Sequence, residues 1–153
     1  MEVTLESTVS GFTYSTDRTR LDIEYIHRYL KEKSYWAQGI PREVVVRGIE
    51  NAMCFGVYDT TRQVGFARVI TDYATFGYLA DVFIDEAYRG RGLSKTLMQV
   101  IMGAEVLSSL RRLVLVTRDA HTLYSRFDFK PLKNPDGYME MHRPDIYKKP
   151  STV

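Results

Sequence analysis

Apolar and polar positions recur along this chain with a regularity that divides it into short elements. Residues 12–16 alternate apolar with polar and read as a strand. After Thr19, the residues Leu21, Ile23, Tyr25, Ile26, Tyr29 and Leu30 recur at helical spacing. Gly39 and Pro41 punctuate the chain, and Pro41 suits the first turn of a second short helix over 42–51. Three strand-like runs follow at 53–58, 64–71 and 78–84, the first two separated by Asp59-Thr60-Thr61-Arg62 as by a hairpin turn. Leu93, Leu97, Val100, Ile101, Ala104 and Leu107 then fall on one face of an amphipathic helix. Residues 113–116 form an unbroken apolar run, as a buried parallel strand does. A short helix over 120–127 and two short strands at 129–132 and 138–141 complete the pattern.

The order β-α-α-β-β-β-α-β-α-β-β predicts a mixed α+β fold of the α/β kind. Its central mixed sheet has about seven strands flanked by about four helices, antiparallel in the first half and with a β-α-β unit in the second. No repeat, low-complexity tract or linker interrupts the order, so one domain is expected over 1–153, with 1–11 a loosely ordered N-terminal segment.

Composition narrows the classes. The 153 residues are 44% apolar and 26% charged, enough to bury a core and too apolar for general disorder. The net charge of +2 comes from scattered arginines and lysines, which makes no case for nucleic acid. No apolar run approaches the roughly 18 to 20 residues that cross a bilayer, so no membrane partner is expected. The mixed polar start does not resemble a secretion signal, and a cytoplasmic location is the default. A single cysteine, Cys54, excludes an internal disulfide and a cysteine-built metal site, and no metal is expected.

The segment Asp85-Glu86-Ala87-Tyr88-Arg89-Gly90-Arg91-Gly92-Leu93-Ser94-Lys95 carries the candidate chemistry. A strand that passes through a glycine-rich turn into a helix exposes backbone N–H groups at the positive end of the helix dipole, which suits an anion. Gly90 and Gly92 let the backbone approach a ligand, and Arg89, Arg91 and Lys95 add charge for a diphosphate. The plainer alternative is a strand-to-helix turn with solvated basic residues. A P-loop is excluded, because Leu93 follows Gly92 where that motif needs lysine. A dinucleotide fingerprint matches only in part, because Lys95 stands where its third glycine belongs.

Val82 to Leu93 resembles the acetyl-CoA-binding motif of the GNAT acetyltransferase superfamily, whose (Arg/Gln)-x-x-Gly-x-(Gly/Ala) turn joins a strand to a helix. Arg89 matches the first position, Gly92 the central glycine, and Ser94 stands where glycine or alanine is usual. A second stretch, from Ala120 to Phe129, is similar to the family's Ala-x-x-Leu-Tyr-x-x-x-Gly-Phe, with Asp128 in place of glycine. The two motifs occur in order, separated by one helix and one strand. The resemblance implies a GNAT-like fold and acetyl-CoA as co-substrate, with the diphosphate held by Arg89, Gly90, Arg91, Gly92, Leu93, Ser94 and Lys95. It implies that the pantetheine arm pairs with the backbone of Val82, Phe83 and Ile84 and passes Thr117, where many members carry asparagine. It assigns Tyr124 as the proton donor to the leaving thiolate.

The activity so implied is N-acetyl transfer to a primary amine of a small molecule or a protein. A non-catalytic acyl-CoA-binding module and a nucleotide-dependent enzyme are the alternatives. Asp81, on the strand beside the coenzyme contacts, is the candidate base, its rival reading being a charge on a solvated sheet face. His121 reads as a surface or capping residue. The acceptor pocket is expected from Trp36 and its neighbours Tyr35, Gly39 and Ile40, with Asp72, Tyr73, Phe76 and Tyr78, whose aromatic walls and acids suit a cation. A homodimer is common among such proteins, and no residue here requires it.

Overall fold

The computed structural model describes residues 4–148, which build one six-stranded sheet with helices on both faces. Strands β1 (Glu6–Val9), β2 (Phe12–Ser15), β3 (Met53–Asp59), β4 (Arg62–Thr71), β5 (Phe76–Ile84) and β6 (Arg112–Leu115) lie in sequence order. Every neighbouring pair is antiparallel except β5 and β6, which are parallel. Helices α1 (Ile23–Glu32) and α2 (Arg42–Glu50) connect β2 to β3, and α3 (Leu93–Met102) and α4 (Glu105–Ser108) make the crossover from β5 to β6. The short α5 (His121–Ser125) follows β6.

Local chemistry explains the boundaries. Asp22 accepts a hydrogen bond from the Tyr25 amide and so caps α1, whose apolar stripe buries Ile26, Tyr29 and Leu30. That stripe and Val45 and Ile49 of α2 pack on Cys54, Phe66 and Phe83 from the sheet. On the other face Leu93, Leu97, Met98 and Ile101 of α3 pack on Phe55, Val57, Val69 and Leu79. Burying each such side chain contributes about 1.5–3 kcal/mol, which holds both helical layers to the sheet.

Three expectations are corrected. Residues 4–11 are not a loose segment: Glu6–Val9 pairs with β2 through a tight turn at Ser10 and Gly11, both at positive φ (52° and 85°). The first three residues of that expected segment lie outside the described ones. The amphipathic run from Leu93 to Leu107 is two helices, because Gly103 caps α3 and α4 restarts after Ala104. The strands expected at 129–132 and 138–141 do not form. After α5 the chain turns at Asp128 (φ 70°), the Phe129 amide bonds back to the Tyr124 carbonyl, and its ring packs on Tyr124. That contact holds the chain against α5, and beyond it Met139 and Met141 stay exposed with no sheet to cover.

Candidate active site

β5 is paired on both sides only in its first half. Phe76 to Leu79 face Arg112 to Leu115 of β6, and from Ala80 to Ile84 only β4 remains alongside. The opening coincides with a bulge: between the Phe66–Phe83 and Arg68–Ala80 pairs, Asp81 and Val82 together oppose the single residue Ala67. Asp81 adopts φ 54°, a left-handed conformation that aspartate tolerates better than most residues. The bulge thus leaves the second half of β5 as an open edge whose backbone can receive an extended ligand.

The open edge leads into the glycine turn. Asp85 accepts from the Ala87 amide and caps a single 3-10 turn (Glu86–Tyr88), and its other oxygen accepts from the Tyr25 hydroxyl at 3.0 Å. Gly90 (φ 80°) and Gly92 (φ 74°) then take left-handed conformations, and Gly92 starts α3 with no side chain capping it. The first amides of α3 are therefore free of intrahelical acceptors and available to an anion. Arg91 lies over the Tyr88 ring at 5.1 Å, and Lys95 and Ser94 flank the turn on the first turn of α3. Arg89 faces partly inward: it donates to the Ile84 carbonyl (3.2 Å) and to the Tyr29 hydroxyl (2.8 Å), bracing the turn against α1. Phe83 is likewise anchored, its ring stacked on Tyr29 at 3.8 Å, so that only its backbone faces the open edge.

Tyr124 lies on α5 with 9% of its surface exposed, edge-on to Phe129. Burial, reinforced by Tyr35 and Asp119, pushes its phenol up to about 12, and its hydroxyl has no hydrogen-bond partner among the described residues. Thr117 accepts from the Ala120 amide at 3.0 Å and so fixes the start of α5. The loop between α1 and α2 reaches across to this region. The Tyr35 hydroxyl accepts from the Arg118 amide, the Arg118 guanidinium covers the Tyr35 ring at 3.9 Å, and Tyr35 packs edge-on to Trp36. Trp36 Nε1 in turn donates to Asp81 Oδ1 at 2.6 Å.

Asp81 is not a solvated surface charge. Its Oδ2 accepts from Arg68 Nε at 2.5 Å, and the carboxylate side chain is only 9% exposed. Tyr78 stands nearby on β5, and burial, with the Asp81 charge, raises its phenol above the usual tyrosine value. The structure therefore gathers Trp36, Tyr78, Asp81 and the open edge of β5. It leaves Asp72 and Tyr73 apart. Asp72 spends its carboxylate within its own loop, accepting from the amides of Ala74, Thr75 and Phe76 and from the Thr75 hydroxyl, which holds it well below the usual carboxylate range. Tyr73 lines a different cavity with Thr16, Met53 and Glu105 at the far end of the sheet. Asp72 sits at the β4–β5 turn, where its carboxylate is used to shape the hairpin and is not turned to Asp81.

Arg68 was not among the expected site residues. The available signal was an arginine inside the otherwise apolar run 64–70, a position where a charge requires a partner. Asp81→Asn is expected to lower stability by about 1–2 kcal/mol, because it keeps the tolerated left-handed backbone and a Trp36 acceptor but removes the charge facing Arg68. Thermal or urea denaturation measures the loss; an unchanged midpoint shows the pair to be energetically idle. Cys54 is buried, and burial pushes its thiol up to about 11, which removes it as a nucleophile. Among the described residues no group of three or more His, Cys, Asp or Glu could hold a metal ion, and no helix is long and apolar enough to cross a membrane.

The six-stranded mixed sheet, opened at a bulge beside a helix that starts on glycine, is an α+β fold, and residues 50–131 match the Acetyltransferase (GNAT) domain, so the chain belongs to the GNAT acetyltransferase family. A crystal structure of a candidate GNAT acetyltransferase from Xanthomonas campestris pv. campestris is 46% identical, with a TM-score of 0.90 over 93% of this chain and 100% of that one. A curated candidate acetyltransferase of Gibberella zeae is 29% identical over 85% of each chain. The fold also matches a candidate acetyltransferase from Clostridium acetobutylicum solved with acetyl-CoA, at 12% identity, a TM-score of 0.64, and 86% and 96% coverage.

Proposed function

We propose that the protein transfers the acetyl group of acetyl-CoA directly to a primary amine. The observation that carries this reading is the open edge of β5, which starts at the Asp81 bulge and leads, through one 3-10 turn and the glycine turn, to the uncapped, glycine-started α3. An extended pantetheine arm suits such an edge, pairing with the backbone of Val82, Phe83 and Ile84 as an added strand does. A diphosphate suits the amides from Gly90 to Lys95, with Arg91 and Lys95 as flanking cations and Arg89 as the brace that holds the turn. The thioester then lies near the bulge, between Asp81 and α5.

The chemistry follows from those positions. The amine nitrogen attacks the thioester carbonyl carbon, forming the C–N bond, and a β5 backbone N–H accommodates the charge that develops on oxygen. Collapse breaks the C–S bond, and the departing sulfur takes its proton from Tyr124 Oη. The amine's surplus proton leaves toward Asp81, whose oxygens hold Arg68 and Trp36 yet retain lone pairs for another N–H, and passes to water, from which the Tyr124 phenolate regains the proton it gave to sulfur.

Titration calorimetry with acetyl-CoA, followed by a thiol-release assay over an amine panel, tests the reading. Binding at micromolar concentration with CoA release dependent on an amine is expected. Binding without release under any amine supports a non-catalytic acyl-CoA module instead, and heat with ATP or NAD but not with CoA species removes the proposal.

A further inference from the structure

We infer that the acceptor is an α-amino acid, or a molecule ending like one, with an apolar side chain. The inference rests on the acetyl-transfer reading above and concerns a cavity of about 360 Å³ between α1, α2 and the sheet. Its walls are aliphatic, with Ile26, Leu30, Ile40, Val44 and Ile49 among them. Its charged lining is Arg68 and Asp81 on the floor and the exposed Arg47 at the rim. Asp81 belongs both to this cavity and to the bulge of β5, so the cavity ends where the proposed thioester lies.

Arg68 is the informative residue. Only its Nε is engaged, on Asp81; among the described residues neither terminal guanidinium nitrogen has a hydrogen-bond partner. Those nitrogens rest against Gly48 of α2, where an added Cβ would stand a tight 3.3 Å from Nη1, so glycine there leaves the guanidinium room. A planar fork of free N–H donors in an apolar cavity is suited to a carboxylate. Beside it, Asp81 offers lone pairs to an amine. An α-amino acid presents these two groups on one carbon, as Arg68 and Asp81 present their complements side by side.

The charge balance agrees. Two arginines and one aspartate give the lining a net positive charge, and the reactive form of an α-amino acid, with its amine neutral and its carboxylate ionised, is singly negative. A plain alkylamine satisfies the aliphatic walls and Asp81 but leaves the Arg68 fork unpaired, and a site built to bond a group discriminates strongly against an analogue lacking it.

The test compares leucine and phenylalanine with 3-methylbutylamine and phenethylamine, which have similar apolar bodies without the carboxylate. Acetylation by the wild-type protein is expected to favour the amino acids by about 100-fold or more in kcat/KM. Arg68→Met is expected to abolish most of that preference through KM for the amino acid, while calorimetry finds acetyl-CoA affinity unchanged; Arg68→Lys, which keeps a charge without the fork, retains part of it. Equal use of the plain amines overturns the inference and leaves the N-acetyltransferase reading standing, as does a preference that survives in Arg68→Met. Acetyl-CoA binding with no turnover of either amino acid also overturns it. Failure to bind any CoA species removes the underlying reading as well. The wild-type comparison stands even if Arg68→Met does not fold.

Discussion

Gly92→Val is expected to weaken acetyl-CoA binding by at least about 100-fold, close to 2.7 kcal/mol of binding free energy. Two separate effects act in the same direction. Gly92 holds φ 74°, and a β-branched residue there is strained, so the backbone that aims the first amides of α3 shifts. The valine methyls also add bulk at the turn itself, in space the protein leaves open: a Cβ built at Gly92 meets no atom of the protein within 4 Å, so a diphosphate held at this turn is what they would crowd. That open space separates folding from binding. Without coenzyme the substitution crowds nothing and costs only the conformational strain, about 1–2 kcal/mol. Thermal denaturation should therefore show a modest loss, while calorimetry with acetyl-CoA shows a large one. Gly92→Ala carries most of the strain and little of the bulk, and should fall between wild type and valine in affinity. Wild-type affinity in Gly92→Val would place the diphosphate somewhere other than this turn.

How far the molecule could be read from its residues depends on where partners come from. β3, β4 and β5 were legible because each is a run of apolar residues bounded by polar turns, and the glycine turn was legible because its conformation is local. β1 was missed because Glu6-Ser7-Thr8-Val9 is polar and exposed along its length, and only its backbone pairing makes it a strand. The reverse error has the same origin. Residues 138–141 are a mostly apolar run that reads as a strand, and Tyr138 even lies under the guanidinium of Arg112 on β6, yet no backbone pairing forms there, because apolar character alone cannot supply a ladder partner. Within the site, Arg89, Gly92 and Tyr124 sit at motif positions that could be matched one by one. The Asp81 bulge could not: no glycine marks it, and it exists because β4 offers one residue where β5 offers two. Arg68 escaped for a related reason, since its meaning lies in Asp81, on the adjacent strand, and in Gly48, on a helix that crosses above it.

Tyr124→Phe is the counterpart to the glycine experiment, because it should leave binding intact and remove chemistry. The ring still packs on Phe129 and still fills its place on the buried face of α5, so acetyl-CoA affinity is expected to stay within about twofold. Turnover is expected to fall by about 100- to 10,000-fold, the range for loss of a positioned general acid. The pH dependence sharpens the assignment. Burial disfavours the phenolate and holds the Tyr124 proton up to about 12, where an ordinary tyrosine loses it near 10.0. The acid is then fully protonated across the assay range, and the wild-type rate should show no loss on its alkaline side below about pH 10 from this group. The same shift has a consequence for stability with a definite sign. Below pH 10 the hydroxyl is neutral in both folded and unfolded chains, and the raised folded value contributes its full stability. As the pH climbs from 10 toward 12 the unfolded chain ionises first, and that contribution is lost. Tyr124→Phe should accordingly lose less stability than wild type over that interval, in denaturation curves recorded at stepped pH. A rate that survives the substitution unchanged would mean that the thiolate leaves unassisted, and that the buried hydroxyl serves packing alone.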